Sequence, residues 1–147
     1  MCSIDFEKRF RETKGQPFEK NGVEYRLSLA IETGKHHLVV LAFESTSSPW
    51  LQGVHVESDG GLRFKKKRSD KLVIWEGIPE DEARIECQPG STVCVWNVWD
   101  TGDGVTHAGH GGAAMIVEEV DEGYRCRCND GHVDEDFDDL VFTIRLK

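Results

Sequence analysis

From Gly22 onward, apolar and polar residues alternate with a period of two. Val23, Tyr25, Leu27, Leu29 and Ile31 fall on one face, and Glu24, Arg26, Ser28 and Ala30 on the other. That spacing predicts a strand with one buried face. After a Thr33-Gly34-Lys35 turn, His37 to Glu44 is a continuous apolar run of the kind found in a central strand. Gln52 to Ser58 and Leu62 to Lys66 read as a hairpin around Asp59-Gly60-Gly61. Leu72 to Trp75, Ala83 to Cys87 and Thr92 to Trp99 are the next strands, the last two separated by a Pro89-Gly90 turn. Ala113 to Val120, Tyr124 to Cys128 and Leu140 to Leu146 close the chain. About nine or ten short strands predict an all-β fold, an antiparallel β-sandwich of jelly-roll type, as a single domain over residues 1–147. Residues 1–20 stand apart. Ser3 to Lys14 is charged, with Ile4, Phe6 and Phe10 unevenly spaced and Asp5 placed to cap a short helix. The expectation there is a helix or arm that packs through its Phe residues.

Composition sharpens this picture. Fifteen Gly suit a turn-rich β protein. The net charge is −9, and Asp130, Asp134, Glu135, Asp136, Asp138 and Asp139 supply two thirds of it within eleven residues that contain no Lys or Arg. An anionic cluster of this kind calls for a cation and disfavours nucleic acid as a partner. One basic run, Lys65 to Arg68, keeps anionic lipid in view as an alternative, although Lys residues also blunt exposed strand edges. The first fifteen residues have no apolar core of a signal peptide, and no segment reaches transmembrane length. A soluble cytoplasmic protein with reduced thiols is expected. Cys87 and Cys94 flank a short turn, a spacing that would set them across a hairpin from each other. Cys126 and Cys128 are too closely spaced for an ordinary zinc knuckle and should share one strand face.

The chemistry concentrates in Asn129 to Asp139, between two predicted strands. Asp has a short stem, so several carboxylates can converge on calcium, which takes 6–8 oxygen ligands. Asp134, Asp136 and Asp138 alternate, Asp130 precedes the Gly131 turn, and Asp139 opens the last strand. Without a cation these carboxylates repel one another. An EF-hand is excluded. Counted from Asp134, position six is Asp139 where Gly is needed, and position twelve is Arg145 where Glu is needed.

The string DGHVDEDFDDLVFTI resembles the calcium loop of the two-calcium bacterial lectins that bind fucose or mannose. In that family a D-x-D-[YF]-[ND]-D run leads into a final apolar strand, and two adjacent calcium ions bind sugar hydroxyls directly. The resemblance covers about the last twenty residues. It implies Asp130, Asp134, Asp136, Asp138 and Asp139 as calcium ligands, with Asn129 beside them. Two features depart from the family pattern: the chain ends Arg145-Leu146-Lys147 rather than in Gly, and Asp138 stands where Asn is usual.

A second unusual stretch, Asp100 to Gly112, is Gly-rich and aperiodic. In an antiparallel sandwich two strand passes separate it from the acidic loop, which places both at one end. Asp100 and Asp103 then stand near the cation or hydrogen-bond a ligand, and His107 and His110 join them as candidate ligand-binding residues. Trp99, at the mouth of this loop, and Trp50 offer faces for stacking on sugar C–H groups, whereas Trp96 is expected in the core.

Three functions follow. The first is a non-catalytic, calcium-dependent module that binds a glycan or glycoconjugate. The second is a C2-like membrane-binding domain using Asp-rich loops and Lys65 to Arg68. The third is a metal-dependent enzyme built on His107, His110 and a nearby carboxylate, a set suited to zinc or iron.

Overall fold

The computed structural model describes residues 6–78, 82–109, 112–131 and 137–147. One short helix, α1 (Phe6–Glu12), precedes eleven strands: β1 (Phe18–Lys20), β2 (Val23–Tyr25), β3 (Leu29–Glu32), β4 (Leu38–Thr46), β5 (Leu51–Phe64), β6 (Lys67–Trp75), β7 (Ala83–Cys87), β8 (Thr92–Asp100), β9 (Ala114–Val120), β10 (Gly123–Asn129) and β11 (Leu140–Leu146). β1 and β2 form a small hairpin. The other nine strands form one antiparallel sheet in the order β3-β8-β5-β7-β4-β11-β10-β9, with β6 added to β5. The expected all-β architecture with a short N-terminal helix is present. No helix among the described residues is long and apolar enough to cross a membrane.

The sheet rolls until its ends nearly meet. Arg26 forms an antiparallel bridge with Met115 of β9, through N–O contacts of 3.1 and 2.7 Å, while β3, three residues later, pairs with β8. The segment read as one strand from Val23 to Ile31 is therefore broken at Arg26–Ser28. It has to cross from one end of the sheet to the other, and this makes the fold nearly a barrel.

The second difference concerns β5. Asp59-Gly60-Gly61 does not reverse the chain; β5 continues through it for fourteen residues. Its first half pairs with β8, from Leu51↔Asp100 to Ser58↔Val93, and its second half pairs with β7 at Leu62↔Cys87 and Arg63↔Glu86. The glycines form a corner at which the strand changes neighbours. Gly61 takes φ +85°, and a β-carbon on Gly60 would stand 2.9 Å from Ser91 Cβ. The reversal comes instead at Lys65-Lys66, with φ 50° and 69°, and leads into β6. A tight turn of this kind is ordinarily marked by Asn or Gly, so a Lys-Lys turn was not legible.

The corner also separates Cys87 from Cys94. β5 lies between β7 and β8, so the two thiols do not face each other across a hairpin, and both are free.

Two apolar clusters result. The larger fills the rolled sheet with Val39, Leu41, Val54, Val56, Ile85, Val95, Met115, Phe142 and their neighbours. The smaller is aromatic: Phe6 and Phe10 from α1, Phe18, Tyr25 and Phe137, together with Ala114. α1 has only seven residues, so packing rather than propensity holds it. Phe6 lies 5.1 Å from Tyr25 and 5.7 Å from Phe137, both edge-to-face.

Candidate functional site

The acidic loop springs from the end of β10 and returns into β11, which are paired from Gly123↔Arg145 to Cys128↔Leu140. Asp134 and Asp136 lie outside the described residues; Asp130, Asp138 and Asp139 lie within them. The two carboxylates at the roots are buried, Asp130 at 0% and Asp139 at 5% exposure. They are tied together, because Asp130 N–H donates to Asp139 Oδ2 at 3.1 Å. Asp130 Oδ2 also accepts from Ser48 Oγ and, at 3.1 Å, from Gln52 Nε2. Asp138 is exposed. Its backbone carbonyl accepts from Ser47 Oγ at 2.8 Å, and Ser47 N–H donates to Asp139 O at 3.2 Å.

Asn129 is buried and acts as a strut. Its Oδ1 accepts the Phe137 N–H at 2.9 Å, and its carbonyl accepts Asn97 Nδ2 at 2.8 Å. Phe137 holds the left-handed φ of 52° while its ring is 2% exposed in the aromatic cluster. A bulky residue in that region is uncommon. Here the ring's burial and the bond to Asn129 hold it. The carboxylates of Asp130 and Asp139 thus fasten the two roots to each other, and Phe137 anchors the root before β11 in the aromatic cluster.

Ser48, Gln52 and Asn97 are supports that the sequence reading did not single out. One signal existed for Asn97, a polar residue on the buried face of an otherwise apolar strand. Gln52 is fully buried. Its amide nitrogen is fixed by Trp50 O and Asp130 Oδ2, so its Oε1 points elsewhere, and this acceptor has no hydrogen-bond partner among the described residues. Buried polar atoms without partners are rare in folded proteins.

The Gly-rich stretch does lie at the same end. Gly112 N–H donates to Gly131 O at 3.3 Å, and a β-carbon on Gly131 would meet Trp99 Cζ2 at 3.1 Å and Trp50 Cζ3 at 3.4 Å. A backbone bridge between Trp99 and His107 closes the excursion. Asp100 is turned into its own loop, with Oδ1 accepting from Gly102 N–H at 2.8 Å and Gly104 N–H at 3.2 Å. Asp103 Oδ1 accepts from Val105 N–H at 3.0 Å, and its Oδ2 stands 3.7 Å from His107 Nε2. The Val105 bond, aided by His107, holds the Asp103 carboxyl below the usual range against slight desolvation.

The two large aromatics of β8 exchange the expected roles. Trp99 is 1% exposed and presents no free face to a glycan. Trp96 is half-buried on the other face of β8, stacked on His55 at 4.0 Å and 11°. The alternation 93, 95, 97, 99 points inward, which carries Trp99 into the interior. Trp50 is half-buried beside Gly131. His110 lies outside the described residues; of that set His107 stands beside Asp103. Among the described residues, no group of three or more His, Cys, Asp or Glu side chains converges as a metal site.

Cys126 and Cys128 are both buried on β10. Desolvation pushes the Cys126 thiol up to about 12 and Cys128 well above its ordinary value. An acid whose folded pKa is raised leaves stability unchanged below its unfolded value near 9, and stability falls as pH rises from there toward about 12. Urea midpoints measured from pH 7 to 11 should therefore drop above pH 9. The slope approaches about 1.4 kcal/mol per pH unit for each thiol. Cys126→Ala should flatten that fall, and an unchanged slope in the variant would remove Cys126 as its source.

Compared with known proteins, the chain matches no protein family, no curated protein and no solved structure.

Proposed function

We propose that the domain is a calcium-dependent binding module whose ligand is a carbohydrate. The observation that carries this reading is the pair of buried carboxylates, Asp130 and Asp139, at the roots of a loop that holds four further acids. A buried carboxylate is costly unless hydrogen-bonded, paired or bound to a metal. Hydrogen bonds from Ser48, Gln52 and the Asp130 N–H meet part of that cost, and a hard divalent cation with oxygen ligands would answer the mutual repulsion of the loop acids. The carbohydrate rests on the likeness of DGHVDEDFDDLVFTI to the lectin calcium loop and on the half-buried Trp50 beside it.

A thermal melt with saturating calcium and with EDTA tests the cation. A ligand that binds only the folded state at a hundred times its Kd adds about 2.7 kcal/mol. The melting temperature should rise with calcium and not with magnesium. Asp136→Ala and Asp138→Ala should abolish the rise. If calcium leaves the melt unmoved, the reading fails. A glycan array probed with and without EDTA tests the ligand separately, and a calcium shift without any glycan signal would assign calcium a structural role only.

A further inference from the structure

We propose that the tip of the β5–β6 hairpin is a binding site for a phosphate group, gripped by the guanidinium groups of Arg63 and Arg68. The site is independent of the acidic loop and lies at the other end of β5.

Three observations converge on it. Residues 63–68 hold Arg63, Lys65, Lys66, Lys67 and Arg68, five of the eighteen Lys and Arg residues of a chain whose net charge is −9. Within this run Arg63 and Arg68 are direct cross-strand partners. Like charges placed opposite each other on a sheet destabilise it. Both side chains line one pocket of about 300 Å³, which His37, Gln88 and Glu86 share.

Solubility at an exposed edge explains lysines on β6. It does not explain an Arg–Arg pair converging on a pocket. The anion already present, Glu86, approaches Arg63 only at 3.7 Å, with both side chains more than half exposed. Such a pair contributes little and is readily exchanged. No other ion pair to Arg63 or Arg68 occurs among the described residues.

The turn that joins the two arginines is itself basic. Lys65 and Lys66 both adopt left-handed φ, where Asn or Gly would sit without strain. The two lysines add positive charge at the hairpin tip without lining the pocket itself.

A phosphate matches this arrangement better than a carboxylate does. It carries close to two negative charges and several acceptor oxygens. Two planar guanidinium forks can each engage it with paired N–H bonds. The pocket exceeds the size of the phosphate alone, so a monoester with a small organic group fits. The source is either a soluble phosphate monoester or the headgroup of phosphatidic acid.

Titration calorimetry with inorganic phosphate and with phenyl phosphate, against chloride at equal ionic strength, tests the soluble source. Sedimentation with phosphatidylcholine vesicles, with and without phosphatidic acid, tests the lipid source. Saturable binding in either arm is expected, weakened about tenfold or more by Arg63→Gln or Arg68→Gln. The paired Arg63→Lys and Arg68→Lys change keeps the charge and loses the forks, so it should weaken binding comparably. Lys66→Gln should have only a small effect. These side chains lie on the surface, and unchanged thermal melts verify that each variant folds. Binding to neither probe, or full binding by the double Lys variant, overturns the proposal. Its failure leaves the calcium melt unaffected.

Discussion

Trp99→Ala is expected to lower the unfolding free energy by about 3–5 kcal/mol, the range for removing a buried aromatic ring. The indole is 1% exposed and ranks among the largest fully buried side chains. Its ring edge lies against Gly131, and its backbone bridges to His107. The deletion therefore opens a cavity between the Gly-rich excursion and the root of the acidic loop, and the surrounding backbone can close over it only in part. Urea denaturation at neutral pH measures the loss. Trp99→Phe should recover part of it, since the smaller ring still fills much of the space. A loss below about 1 kcal/mol would mean that the site collapses freely and that the two loops are not joined through this side chain. On the proposed calcium reading, the thermal shift with calcium should shrink in this variant because Asp130 immediately precedes Gly131.

Phe137→Ala should cost about 3 kcal/mol or more for the same reason. A second variant separates packing from backbone strain. Phe137 holds φ 52°, a region where a β-carbon costs roughly 1–2 kcal/mol and glycine escapes that cost. Phe137→Gly removes more of the side chain than Phe137→Ala, yet it should be no less stable. If the Gly variant is clearly the weaker, strain at this position is negligible and the ring alone matters. Both variants should also loosen α1, since the Phe137 ring packs on Phe6. Far-UV circular dichroism and amide exchange over residues 6–12 would register that loosening.

Much of the fold was legible from alternation. Ala83–Cys87 and Leu140–Leu146 were bounded as found, because each is short, cleanly patterned and flanked by turn residues. The hairpin was misplaced because Asp59-Gly60-Gly61 serves a corner as naturally as a turn. What distinguishes the two is whether β8 and β7 stand on the same side of β5, a fact of tertiary pairing. Trp96 and Trp99 were exchanged because both lie in an apolar strand and only the roll of the sheet decides which face is inside. At the candidate site, charge density marked the acidic run, and Asp130 and Asp139 at its roots are buried. Its supports were not visible. Ser48 and Gln52 lie about eighty residues before Asp130 in the chain and reach it because β4, which ends at Thr46, pairs with β11, and β11 pairs with β10. No local period encodes such an encounter.

The length of β5 has a further consequence. Gln52 stands beside the acidic root and Arg63 at the basic tip, separated by about 36 Å of strand at 3.3 Å per residue. At physiological ionic strength the Debye length is about 8 Å. The two poles are therefore screened from each other by several such lengths. A cation arriving at one end is electrically silent at the other, and the formal charge of −9 describes neither. An approaching molecule meets either a strongly negative or a strongly positive surface, and the protein turns one pole toward it according to that molecule's own sign.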